Sequence, residues 1–177
     1  MKRYILFIAL TVAITCQAQQ TSYAFDFTKE KTTPESISVD VPDGNYKVTV
    51  RIGSKKQAGS TTVRGESRRL FIENLPTKKG EFVERTFIVN KRNTLIADGK
   101  HVKIKPREKS KLNWNDKLDL EFSGDAPQIA SVTIDKTDDA TTIFLCGNST
   151  VVDQDNEPWA SWGQMIPCFF NDQVAFA

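Results

Sequence analysis

Ile37-Ser-Val-Asp-Val41, Pro42-Asp-Gly-Asn45 and Tyr46-Lys-Val-Thr-Val-Arg-Ile52 decide how this chain is read. The first and third stretches alternate apolar with polar residues, the two-residue period of a strand with one buried face. The middle four combine Pro, Asp, Gly and Asn, whose backbone preferences make a tight turn. The same rhythm runs outward to Tyr23–Phe27 on one side. On the other it continues through Thr61 to Val63, Leu70 to Ile72, Phe82 to Val89, Val102 to Ile104, Leu118 to Phe122 and Ile129 to Ile134. No helical period of useful length interrupts it. About nine strands at this spacing predict a mainly β domain over residues 19–136, an antiparallel β-sandwich or jelly roll with one wet side to each sheet.

The composition is that of an ordinary globular chain, 39% hydrophobic and 26% charged, which excludes collagen-like, mucin-like and wholly disordered classes. Lys2 and Arg3 precede the apolar run Tyr4–Ile14, too short for the about 20 residues a bilayer span needs. With Cys16-Gln-Ala18 behind it, the run reads as a signal peptide cleaved after Ala18, so a periplasmic or secreted protein is expected. Removing Lys2 and Arg3 from the 24 basic residues leaves 22 against 22 acidic ones, and the formal +2 vanishes. A neutral chain offers no field for nucleic acid, and no other segment suggests membrane insertion. The lysines and arginines of the β-rich region, such as Lys55-Lys56, Arg68-Arg69 and Lys78-Lys79, are interleaved with acids and read as a solvated face, in preference to an anion-binding surface.

After Asp135-Lys-Thr-Asp-Asp-Ala140 the rhythm changes. Thr141-Thr-Ile-Phe-Leu-Cys146 is a continuous apolar run, expected as a strand buried on both faces of a parallel sheet. It enters Gly147-Asn-Ser-Thr150, a turn carrying a serine. Pro158 suits the first turn of a helix with Asn156 as its cap. Trp159, Trp162, Met165, Ile166 and Phe169 then recur at three to four residues as an apolar stripe, with Pro167 to kink or end the helix. A buried strand, a serine-bearing turn and an amphipathic helix would open an α/β domain at residues 137–177. One strand and one helix cannot bury that stripe, so the segment is expected to be poorly stable by itself. Cys146 and Cys168 permit one disulfide, with two buried free thiols as the favoured expectation.

Phe144-Leu-Cys-Gly-Asn-Ser-Thr-Val-Val-Asp-Gln154 with Pro158-Trp-Ala-Ser-Trp-Gly-Gln-Met-Ile-Pro167 resembles the first block of SGNH/GDSL hydrolases, within them the rhamnogalacturonan acetylesterase-like proteins. Such proteins commonly carry a galactose-binding-like β-sandwich ahead of a flavodoxin-like catalytic domain. The resemblance implies a cofactor-free serine esterase acting on acetylated plant cell-wall polysaccharide. It makes Ser149 the nucleophile and its backbone N–H an oxyanion donor, with Gly147 and Asn148 shaping the turn. Asn148 departs from the family's frequent Gly-Asp-Ser, keeping the shape and losing the charge.

A serine nucleophile needs a histidine to take its proton and an acid to orient that histidine. The family supplies both late in its catalytic domain, after a glycine block that residues up to Ala177 do not reach. The chain as given is therefore expected to be a C-terminally truncated form, inactive alone. Its single histidine, His101, follows Asp98-Gly-Lys100 and reads as a surface residue, with no second ligand for a metal site. The alternative function is a non-catalytic polysaccharide-binding sandwich. For that role Trp114, in Leu112-Asn-Trp-Asn-Asp-Lys117, would either offer an exposed ring to sugar or cap one end of the core.

Overall fold

The computed structural model describes residues 22–177; the signal-peptide reading, with Cys16, lies outside the described residues. The chain runs β1 (Ser22–Asp26), β2 (Ser36–Asp40), β3 (Gly44–Gly53), β4 (Gly59–Gly65), β5 (Arg69–Thr77) and β6 (Phe82–Lys91). It continues through β7 (Leu95–Ala97), β8 (Lys100–His101), β9 (Lys117–Ser123), β10 (Ile129–Thr137) and β11 (Thr141–Ile143). Helix α1 (Trp162–Met165), a 3-10 turn at Ile166–Phe169 and β12 (Val174–Phe176) complete it. The protein is mainly β. One antiparallel sheet has the order β1-β10-β3-β6 and the other β2-β9-β4-β5, an arrangement consistent with a β-sandwich.

The alternation that marks the strands also builds the core. Tyr46, Val48, Val50 and Ile52 of β3 turn inward, while Lys47, Thr49 and Arg51 do not. They meet Val132 and Ile134 of β10 beside them, and Leu118, Leu120 and Phe122 of β9 from the opposite sheet. Phe71 of β5 stacks on Phe87 of β6 with centroids 4.4 Å apart, joining the two sheets. Each such buried side chain contributes about 1.5–3 kcal/mol relative to exposure. Pro42–Asn45 is not a hairpin: β2 and β3 belong to different sheets, so the chain crosses the sandwich there. The Tyr46 hydroxyl donates to the Pro42 carbonyl at 2.7 Å and fixes that corner. Burial pushes this phenol up to about 12, with Tyr23 and Asp43 adding to it.

Two local readings of the β region change. The strand expected at Val102–Ile104 does not form, because the Asp98-Gly99 turn (φ 28° and 77°) places the hairpin earlier, as β7 and β8. Pairing ends at the Val102 N–H, which donates to the Thr94 carbonyl at 2.7 Å. Trp114 is half-buried in a 3-10 turn and is no member of the core, so it does not cap the sandwich.

The C-terminal segment departs further from expectation. β11 is three residues long and pairs, in parallel, with β12 alone. Having one neighbour, it leaves Ile143 exposed and Phe144 70% exposed, so the apolar run is not buried on both faces. Among the described residues this single parallel pair and four-residue helix do not amount to an α/β layered domain. Ser161, not Asn156, caps α1: its hydroxyl accepts from the Gln164 N–H at 3.0 Å in a capping box. Pro158 precedes the helix, and Pro167 sits in the 3-10 turn where the α-helix has ended.

Three of the five residues of the helical stripe face outward, while Met165 and Ile166 are half-buried. Trp159 is 69% and Phe169 79% exposed, and Trp162 also faces outward. Gly163, Gln164 and Pro167 face inward instead. A Cβ on Gly163 would lie 2.2 Å from the Val151 carbonyl oxygen, so only glycine permits this approach. Cys146 and Cys168 are free; Cys146 is exposed rather than buried, and burial pushes the half-buried Cys168 thiol up.

Candidate active site and the clasp that holds it

The turn after β11 presents Ser149 at the surface. The Asn148 side-chain oxygen accepts from the Thr150 N–H (3.1 Å) and hydroxyl (2.8 Å), while its carbonyl accepts from the Val151 N–H (2.9 Å) and Val152 N–H (3.1 Å). An Asx-type turn of this kind needs the Asn side-chain oxygen, not a charge. Gly147 lies under Val151: a Cβ there would come 2.4 Å from Val151 Cγ2. The Ser149 carbonyl accepts from Gln154 Nε2 at 2.9 Å. Among the described residues, neither the Ser149 hydroxyl nor its backbone N–H is engaged in a hydrogen bond. The residue is held by its neighbours and left open at the two groups that acyl transfer uses.

Among the described residues, no side chain accepts a hydrogen bond from the Ser149 hydroxyl. His101 lies in the β7–β8 hairpin with Nδ1 2.9 Å from the Thr94 hydroxyl, and does not join Ser149. Asp153 is near in sequence but committed elsewhere. Among the described residues no group of three or more His, Cys, Asp and Glu side chains could hold a metal ion.

Asp153 belongs to a polar clasp that fastens residues 141–177 to the sandwich. Arg69 Nε donates to Asp153 Oδ2 at 2.9 Å, and Arg69 Nη1 to the Phe176 carbonyl at 3.0 Å. The Arg69 side chain is buried and that of Asp153 is 9% exposed. Asn113 Nδ2 also donates to Asp153, at 2.8 Å. Gln164, fully buried, donates from Nε2 to the carbonyls of Ser67 (2.7 Å) and Gln154 (2.9 Å). Arg68 reaches the carbonyls of Gln154 and Trp159 and pairs with Glu157 at 3.3 Å.

Most of these groups come from the β4–β5 turn, Glu66-Ser67-Arg68, and from Arg69 next to it. Glu66 (φ 52°) and Arg68 (φ 62°) hold left-handed backbone there. Such geometry persists at non-glycine residues when the surroundings over-determine it, and here the clasp does so. Burial raises the Glu66 carboxyl to about 7, against the opposing pull of Arg69. Burial, with Arg69 beside it, lowers Arg92 to about 10.

A cleft of about 240 Å³ lies between the sandwich and the segment, with Trp114, Asn113, Arg92, Val151 and Val152 among its walls. Trp114 thus shares a cleft with the segment that carries Ser149, although Ser149 itself does not line it. Gly147, Asn148 and Ser149 are together, as their adjacency requires. The clasp residues Arg69, Asn113, Asp153 and Gln164 escape sequence reading because, the Gln164–Gln154 bond apart, their partners in the clasp lie 40 to 107 residues away. The one signal was the polar Asp153-Gln154 between two apolar runs. Scans against protein-family models and searches of curated proteins and of solved structures find no significant match to this chain.

Proposed function

We propose that this chain is a secreted, rhamnogalacturonan acetylesterase-like protein of the SGNH/GDSL type. In this reading a galactose-binding-like sandwich carries the opening strand, turn and helix of a flavodoxin-like catalytic domain. Ser149 is the nucleophile, and its N–H is one oxyanion donor for acetyl groups on pectic polysaccharide. The supporting observation is the state of Ser149: on the turn after a strand in a parallel pair, its carbonyl tied down and its hydroxyl and N–H unengaged. That is where open α/β sheets place ligands, and a preorganised N–H is what an oxyanion needs.

Ser149 needs a base to attack an ester, and residues 22–177 place no histidine beside it. The chain supplies the nucleophile and one donor of the site. Two measurements test this. Purified residues 19–177 release p-nitrophenol from its acetate at background rate, identically for wild type and Ser149→Ala. Protein expressed from the native gene releases acetate from acetylated rhamnogalacturonan, and Ser149→Ala removes that release by at least a thousandfold. Ser149-dependent turnover by residues 19–177 would contradict the half-site assignment, and Ser149-independent acetate release by the native product would contradict the nucleophile.

A further inference from the structure

A second cavity is lined by no residue of the segment that carries Ser149. It occupies about 630 Å³ at one end of the sandwich, where β3 ends, β6 and β10 begin, and the loops 28–33, 54–57 and 126–128 converge. That volume is in the range of sites that enclose small ligands. Four basic residues line it: Lys31, Arg51, Lys55 and Lys56. Among the described residues, none of the four lies within 4.0 Å of a carboxylate. Glu30 is the one acidic residue in the lining. Asp26, just outside it, is held low chiefly by its hydrogen bonds from Thr28, with Lys29 and Arg51 adding. Three positive charges in excess, gathered in a concavity of a chain that is otherwise near neutral, favour an anion.

The lining is also built to hold shape. Gly53 donates its N–H to the Gln128 carbonyl at 2.9 Å, Phe27 to Ala130 at 2.9 Å, and Ile129 to the Thr33 hydroxyl at 3.0 Å. These bonds tie the loops 28–33 and 126–128 to the ends of β10 and β3. A Cβ on Gly53 would meet the Glu81 carbonyl oxygen at 2.1 Å and one on Gly59 the Ala126 carbonyl oxygen at 2.1 Å. The guanidinium of Arg51 lies 4.1 Å over the Phe82 ring, a cation–π contact that holds the arginine head in place. Preorganised walls lower the ordering cost of binding. Besides charge, the cavity offers the half-buried rings of Phe27 and Phe82 and the hydroxyl and amide groups of Thr28, Ser54 and Gln57.

From this combination of unpaired cations, partly open aromatic rings and short polar side chains we infer that the loop-end cavity binds an acidic glycan through its carboxylate or sulfate groups. The cations take the anionic groups, the rings take the apolar faces of the sugars, and the hydroxyls and amides take the sugar hydroxyls. The inference stands apart from the esterase reading, since no residue of the cavity belongs to residues 137–177.

The test is calorimetric titration of the purified protein with four probes: oligogalacturonate, a sulfated heparin-derived oligosaccharide, neutral cello-oligosaccharide and a single-stranded DNA oligomer. At least one acidic oligosaccharide is expected to bind, more weakly as salt rises, and the neutral one to give no heat. Binding by the carboxylated or by the sulfated probe identifies which anionic group is read. The double substitution Lys55→Ala/Lys56→Ala, at two surface loop positions, is expected to weaken binding at least tenfold with an unchanged melting temperature. Arg51→Gln is expected to weaken it similarly. Ser149→Ala is expected to leave binding unchanged, so this result and the acetate-release result fail independently. Binding of the neutral probe as tightly as the acidic ones, tighter binding of DNA, no binding of either acidic probe, or indifference to the lysine pair would each overturn the inference.

Discussion

The sandwich and the C-terminal segment solve the same problem with opposite chemistry. In the sandwich the apolar side chains of β3, β9 and β10 turn inward, and two sheets share a core of Val, Ile, Leu and Phe. In residues 141–177 the bulky rings of Phe144, Trp159 and Phe169 turn outward. The inward positions of the helical turn hold Gly163, Gln164 and Pro167, fastened by an arginine, an aspartate and backbone carbonyls, while β12 buries the apolar side chains of Ala175 and Phe176. The first region is held by area removed from water, which is tolerant of detail. The second adds to the small apolar contact of Ala175 and Phe176 a few buried polar contacts that fail as a unit when one is lost.

That contrast is broken most forcefully at the ion pair. Removing one partner of a buried pair costs about 3–5 kcal/mol, because the other is left charged and unpaired. Arg69→Ala is expected to open residues 141–177 to limited proteolysis while residues 22–137 remain a resistant fragment. A global loss of folding in this variant would show that the two regions are one cooperative unit.

Glu66 gives a subtler handle. Its carboxyl is raised to about 7, from an ordinary value of 4.5, mainly by burial at the clasp. The folded state therefore holds a proton that the unfolded state has released between these values. The stability this contributes is complete below pH 4.5 and declines as pH rises through 7. The loss is about 1–3 kcal/mol. Thermal unfolding of wild type is expected to weaken between pH 5 and 8 relative to Glu66→Gln, which carries no titrating group. Parallel pH profiles for the two proteins would remove Glu66 from this account.

The smallest effect belongs to the exposed rings. Trp162→Ser is expected to change stability by no more than about 0.5 kcal/mol, as for other surface substitutions. The matching change in the sandwich, Leu120→Ala, is expected to cost about 2–5 kcal/mol in denaturant unfolding. Equal costs would mean that Trp162 is packed and that the two regions do not differ in kind.

The sandwich was legible because its signal is local. Alternation in Tyr46–Ile52 says which side chains are buried whatever the partner strand is. The assignment of β2 and β3 to different sheets was not legible, since a tight turn can close a hairpin or change sheets. In the C-terminal segment the three-to-four spacing of Trp159, Trp162 and Phe169 is real, but spacing does not say which face is buried. That was decided by Gly163, which permits close approach, and by Gln164, which can satisfy two carbonyls at once. The apolar run Thr141–Cys146 reads as a doubly covered strand only if neighbours exist on both sides, and β12 is the one neighbour among the described residues. The turn at Gly147-Asn148-Ser149 was legible because its chemistry is contained in four adjacent residues. The clasp and the basic cavity are assembled from distant segments, so neither leaves a local trace; Lys55-Lys56 in isolation reads as solvated surface.

The central claim is that the Ser149 segment is docked on the sandwich through the Arg69 clasp and is not a loose extension. Amide hydrogen exchange of the wild-type protein, read by mass spectrometry, tests it most directly. The account predicts protection of β12 and of the Gln164 turn on the timescale of the β4–β5 hairpin, lost in Arg69→Ala. Rapid exchange throughout residues 141–177 of the wild type, with the sandwich protected, would contradict it.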